Sequence, residues 1–231
     1  MSASDYSSPS LVAKFFSPQP TKLKEPLAAT GKTGRNLPAA VSTAVVLILF
    51  VGICLFYVPP LLALFIVLAS LAGLYELGGA FAHLETKLTM APLYAGAIGM
   101  VTCAWALGAE ALLFALYTTI FAVVAWRILD PNPKGRINDV IASVFVALYV
   151  PFLASFVVLM MRQFGNPWVV LTYVGLVVAS DTGGWVAGVL FGKHPMAPRL
   201  SPKKSWEGFI GSTIGSVALG GLAFWALGGH W

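Results

Sequence analysis

The sequence predicts an all-α, polytopic membrane protein of about seven transmembrane helices with a cytoplasmic N-terminus. Three observations lead there. Of 231 residues, 58% are hydrophobic and only 10% are charged, where soluble domains carry roughly a quarter charged residues. Such a chain has too little polar surface to cover a water-soluble core, which excludes soluble, disordered and coiled-coil classes. The apolar residues also run continuously rather than alternating, which argues against membrane-spanning strands and fits helices of ~20 residues per span. Finally, the cations sort by side. With the N-terminus inside and seven spans, thirteen of the fourteen Lys and Arg fall in inside segments, and Arg162 alone falls outside. This is the positive-inside pattern.

The elements follow in chain order. Residues 1–36 are rich in Ser and Pro and carry Lys14, Lys22, Lys24, Lys32 and Arg35. They are expected to form a disordered, basic cytoplasmic tail. No apolar stretch with a small-residue cleavage site makes this tail a signal peptide. A multi-span membrane domain over 37–231 follows, with apolar segments near 38–57, 60–82, 92–108, 110–129, 139–161, 168–190 and 208–228. Pro59-Pro60 suits the tight turn between the first two. Cys54 and Cys103 lie inside apolar runs and read as small buried hydrophobes, not a disulfide or metal framework.

Ionisable residues inside spans are candidates for function. Glu76 has no partner nearby in sequence and reads as a polar group satisfied by a neighbouring helix. Asp181 stands in Ser180-Asp181-Thr182-Gly183-Gly184, a polar and small-residue run suited to lining a wet cavity. Ser180, Gly184, Gly188 and Gly192 then recur every four residues, a stripe that admits a second helix closely. A basic loop follows, with Lys193, Arg199, Lys203 and Lys204. Ser201-Pro202 reads as a helix start, Ser at the N-cap and Pro at the first helical position. Free backbone N–H groups, the helix dipole and two lysines would then form a phosphate site. A carboxylate facing such a cluster is expected to hold Mg²⁺ with a polyphosphate. Asp181 is the expected metal ligand. Glu207 is the nearest second carboxylate, and Asp130 and Asp139 are weaker ones.

The run Asp181-Thr182-Gly183-Gly184-Trp185 through Gly192-Lys193-His194, then Arg199-Leu200-Ser201-Pro202-Lys203-Lys204-Ser205-Trp206-Glu207-Gly208, closely resembles the bacterial phosphatidate cytidylyltransferases (CDP-diacylglycerol synthases), actinobacterial members in particular. The resemblance implies Mg²⁺-dependent transfer of CMP from CTP to phosphatidate, giving CDP-diacylglycerol and pyrophosphate. It implies catalytic roles for Asp181, Lys203 and Lys204. Substrate binding would fall to Lys193, Arg199, Ser201, Pro202, Ser205, Trp206, Glu207 and Gly208. The expected setting is the cell membrane, with the active site facing the cytoplasm. The lipid bilayer is a partner, a homodimer is allowed, and no nucleic-acid partner is expected. The family's second signature, near its C-terminus, has no counterpart before Trp231, so the chain is expected to match the N-terminal part of such an enzyme. A CTP-dependent lipid kinase of the polyprenol or phytol type, and an inactive truncated membrane protein or transporter, are the alternative readings.

Overall fold

In the computed structural model, residues 15–18, 37–131, 135–197 and 201–228 are described. The chain divides into two compact units, one ending at Arg162 and one beginning at Gln163.

The first unit contains α1 (Leu37–Phe56), α2 (Pro59–Ala82), α3 (Met90–Ala106), α4 (Ala109–Leu129), α5 (Arg136–Ala147) and all but the last two residues of α6 (Leu153–Phe164). Pro59 and Pro60 occupy the first positions of α2, where an absent N–H costs no helical hydrogen bond. A π-helical turn, Leu148–Phe152, joins α5 to α6. It contains Pro151, which has no N–H to donate, and the wider turn lets the helix pass it without breaking. The Ser155 hydroxyl donates to the Pro151 carbonyl at 2.7 Å. Arg136–Phe164 therefore counts as a single 29-residue apolar helix.

All seven expected apolar segments are helices, with ends within a few residues of those expected. Five are long and apolar enough to cross a membrane. The other two are shorter: α3 has 17 residues, and the described apolar part of α1 is Val45–Phe56. At 1.5 Å per residue, α3 reaches roughly 26 Å, a little under the hydrocarbon thickness.

The first unit's core is apolar, with Leu74, Leu93, Ala97, Val123, Val146 and Ala147 buried across α2 to α5. One ionic group is buried with it. Arg127 pairs with Asp139 at 2.7 Å and with Asp130 at 2.8 Å. Asp139 also accepts the backbone N–H of Lys87 at 2.8 Å. The Thr89 backbone N–H donates to the Ser143 hydroxyl at 3.1 Å. These bonds tie the ends of α4 and α5 to the turn between α2 and α3. Asp130 and Asp139, expected as weaker metal ligands, are thus engaged by Arg127. Glu76 is exposed on α2, with no ion pair among the described residues.

Most of the expected disordered tail, 1–36, lies outside the described residues. Within it, Phe15–Pro18 is docked rather than loose. Phe15 stacks on Tyr94 at 4.5 Å and on Tyr75 at 5.9 Å, and the Tyr94 hydroxyl donates to the Phe15 carbonyl at 3.1 Å. Two adjacent aromatic residues give this short stretch enough apolar area to bind, which the surrounding Ser and Pro lack.

The second unit contains α7 (Pro167–Phe191), the strands β1 (Pro195–Ala197) and β2 (Ser201–Ser205), and α8 (Trp206–Ala226). Asn166 caps α7, its side chain accepting the Trp168 N–H at 3.0 Å, with Pro167 at the first helical position. β1 and β2 pair antiparallel, Pro195 opposite Ser205 and Ala197 opposite Ser201. Two members of the expected stripe, Gly184 and Gly188, lie against Gly208 of α8, and the closest approach is beside them. A Cβ on Gly183 would stand 2.5 Å from the Gly211 carbonyl oxygen, and one on Gly215 would stand 2.6 Å from that of Ala179. Only glycine permits this approach. The outward faces are apolar, with Trp185, Val189, Ile214 and Val217 more than half exposed, as suits helices solvated by lipid.

Gly183→Ala is expected to destabilise the protein in detergent by about 1–3 kcal/mol, the usual cost of overpacking. Gly221→Ala, where an added Cβ meets nothing within 4 Å, is the control and should cost nothing. Equal thermal midpoints for both variants would refute the close contact.

Candidate active site

The second unit encloses a cavity of about 300 Å³. Asp181, Gly184 and Gly188 of α7 form one wall, and Gly208, Phe209 and Ser212 of α8 another. Met196 of β1 with Lys204 and Ser205 of β2 close the end. The glycines leave room there, because a Cβ on Gly184 would collide with the Ser212 hydroxyl and one on Gly208 would crowd the Gly184 carbonyl. Among the described residues, the cavity thus holds one carboxylate, one ammonium and two hydroxyls.

The sequence placed a helix start at Ser201-Pro202, and the structure corrects it. Ser201–Ser205 is a strand, and α8 begins at Trp206 with Ser205 as N-cap. The Ser205 hydroxyl accepts the Gly208 N–H at 3.2 Å. Pro202 is compatible with either element, because a proline also sits at sheet edges. Pairing with Pro195–Ala197 decides between them. The Trp206 N–H donates to the His194 carbonyl at 3.0 Å, so the first N–H groups of α8 are in part already satisfied. The phosphate site expected at Ser201-Pro202 is therefore not a helix terminus. Its cation Lys204 reaches the cavity from a strand.

The other expected site residues separate into groups. Asp181, Lys204, Ser205 and Gly208 come together around the cavity. Lys193 is exposed and Ser201 partly buried, and neither lines it. Trp206 is exposed and sets its ring edge-on to Phe209 at 6.0 Å. Glu207 is engaged elsewhere. Its carboxylate meets His194 Nδ1 at 2.6 Å and accepts the His194 backbone N–H at 3.3 Å. This pair ties the start of β1 to the first turn of α8. Arg199 and the side chains of Pro202 and Lys203 lie outside the described residues.

Sequence reasoning missed His194, Met196, Phe209 and Ser212. Ser212 was findable, because it follows Gly208 by four residues and shares its helix face. Met196 and His194 were not, because their positions depend on the hairpin.

The donor set also bears on a metal. Among the described residues, no group of three His, Cys, Asp or Glu is placed to hold one. Asp181 with the Ser205 and Ser212 hydroxyls does not make a protein cage. It does fit Mg²⁺, which keeps several waters and binds through one or two carboxylates plus substrate phosphates.

The profile of a family described as "Cytidylyltransferase family" matches residues 38–231. Among curated proteins, the chain is 33% identical over 204 residues to a phosphatidate cytidylyltransferase of Mycobacterium bovis, covering 83% of this chain and 66% of the relative. It is 30% identical over 200 residues to the Mycobacterium leprae protein of the same name, covering 80% and 64%. A Thermotoga maritima protein of that name is 36% identical over 100 residues, covering 42% of this chain and 36% of its own. The chain thus spans less than two thirds of the length of the mycobacterial relatives. No solved structure matches it.

Ser205→Ala removes the α8 cap and should cost about 1 kcal/mol, read as a lowered thermal midpoint in detergent. Ser205→Asn, which caps equally well, should restore it. An Asn variant as unstable as the Ala variant would show that the hydroxyl does not act as a cap.

Proposed function

We propose, from the premise that this chain belongs to the cytidylyltransferase family, that it transfers CMP from CTP to phosphatidate, giving CDP-diacylglycerol and pyrophosphate. The observation that carries the proposal is the meeting of Asp181 and Lys204 in one cavity, from segments more than twenty residues apart in sequence. The names of the relatives supply the lipid substrate.

In this reaction a phosphate oxygen of phosphatidate attacks the α-phosphorus of CTP. A new P–O bond forms as the bond to pyrophosphate breaks. The acceptor is already an anion, so the chain need not supply a strong base. The barrier lies in bringing two anions together and releasing a third, so positioning and charge neutralisation dominate. Lys204 neutralises charge on the triphosphate as it enters and on pyrophosphate as it leaves. Lys193, Arg199 and Lys203 add positive charge to the same stretch of sequence. Asp181 would hold Mg²⁺. When bound, such a metal would supply Lewis-acid stabilisation of charge on the phosphates. The Ser205 and Ser212 hydroxyls offer hydrogen bonds to the same phosphates. Gly184, Gly188 and Gly208 leave room for them.

The site is proposed to face the cytoplasm from the cell membrane, because the cations that precede and follow α7 are unequal. Arg162 stands alone before it, and Lys193, Arg199, Lys203 and Lys204 follow it. A cysteine placed at Lys193 should resist a membrane-impermeant thiol reagent in intact cells and react after permeabilisation. Reaction in intact cells would reverse the orientation.

The chemical test is turnover in the full-length protein. Asp181→Asn should abolish CDP-lipid formation with expression unchanged, because it keeps the shape and removes the charge. Lys204→Ala should lower kcat/KM for CTP by about 10- to 150-fold, since a hydrogen bond to a charged group contributes roughly 1.5–3 kcal/mol. Normal turnover in both variants would refute the site. Lipid phosphate and CDP as products would make the protein a kinase instead.

A further inference from the structure

A second cavity, of about 960 Å³, opens in the first unit. None of its lining residues belongs to the unit that carries Asp181. It is bounded by the turn joining α2 to α3 and by the last turn of α4. These are ends of apolar helices, the level at which lipid headgroups lie. Leu88, Met90 and Trp126 form an apolar wall, and the docked Phe16–Pro18 segment closes another side. Trp126 is 57% exposed, as is common for tryptophan at a membrane interface.

The polar end has three features. The 17-residue helix α3 begins there, with Thr89, Met90 and Ala91 on the lining, so its positive dipole end meets the cavity. Thr89, the N-cap, is only 6% exposed, and its hydroxyl has no hydrogen-bond partner among the described residues. Buried hydroxyls are normally satisfied, so this one marks a place for a ligand atom. The lining charges also balance. Lys87 and Arg127 are opposed by Glu85 and Asp130. Arg127 is already paired with Asp130 and Asp139. Lys87 and Glu85 form no ion pair among the described residues. One unpaired cation, one unpaired anion and a helix start that favours phosphate remain.

A bare anion would be opposed by the carboxylates, and a hydrocarbon would leave the charges unmet. We propose that this cavity binds the zwitterionic headgroup of a phospholipid carrying a phosphate and an ammonium. The phosphate lies toward Lys87, the Thr89 hydroxyl and the start of α3. The ammonium meets Glu85, and the acyl chains follow the Trp126 wall. The site is distinct in its residues from the proposed transfer site and needs neither CTP nor metal.

The test is lipid retention by the delipidated full chain in detergent, read by native mass spectrometry without CTP. Phosphatidylethanolamine should be retained as one molecule per chain. Retention should fall roughly tenfold in Lys87→Ala and in Glu85→Gln, as for loss of a hydrogen bond to a charged group. Both residues are exposed, so neither change should disturb folding. Thr89→Val should also weaken retention while leaving the thermal midpoint unchanged or raised, because the lost hydroxyl has no partner. Lys204→Ala should retain the lipid normally. Phosphatidylglycerol retained as tightly as phosphatidylethanolamine would overturn the zwitterion. Displacement by millimolar inorganic phosphate would assign a free-anion site and overturn the lipid. Failure of the unsubstituted chain to retain phosphatidylethanolamine, with CDP-lipid turnover intact, would fault this inference alone.

Discussion

The contact between α7 and α8 is made by backbone against backbone, and the candidate site depends on it. A helix surface normally carries side chains that hold its neighbour 8–10 Å away. Here Gly183, Gly184 and Gly188 face Gly208, Gly211 and Gly215. In a bilayer, helices gain little from hiding apolar surface from lipid, which is apolar too, so close van der Waals packing must hold them together. The glycines supply that packing and also leave a polar gap beside Asp181. Replacing them with larger residues would exchange the cavity for ordinary apolar packing.

The first unit is held differently. Its helices pack through Leu, Val and Met side chains, and its polar bonds gather at one end. A buried Arg between two carboxylates is costly to form and costlier to break. Its value here is geometric, because Arg127 and Asp139 fix where the α2–α3 turn sits against α4 and α5. That turn in turn shapes the larger cavity.

The helices were legible because a membrane span must satisfy its backbone internally and be apolar for its whole length. Both properties can be read locally, and the segments near 60–82 and 168–190 recur as α2 and α7 with small changes at the ends. Asp181 was legible because a carboxylate in such a segment needs a reason to be there. The Ser201-Pro202 helix start was misread because a local rule competed with a tertiary one. Ser followed by Pro fits an N-cap, but a strand five residues earlier offered pairing that the local rule cannot see. Ser205 obeys the same rule four residues later. The fates of Glu207 and Asp139 were illegible for a similar reason, since each depends on a partner, His194 or Arg127, placed by the fold. Phe15 was missed because an aromatic pair in a polar tail is conspicuous only once Tyr75 and Tyr94 are known to face it.

Helices that meet along glycine present smooth surfaces. Knobs seated in holes fix how far one helix has slid along another, and the stretch from Gly183 to Gly188 has few. Sliding there is resisted mainly by the hairpin that joins the two helix ends, where β1 pairs with β2 and His194 grips Glu207. A slip of one helical turn is about 5.4 Å, more than the 3.4 Å rise between successive strand residues. The hairpin is therefore the gauge of the site: it sets the axial register at which Lys204 and Asp181 come to line one cavity.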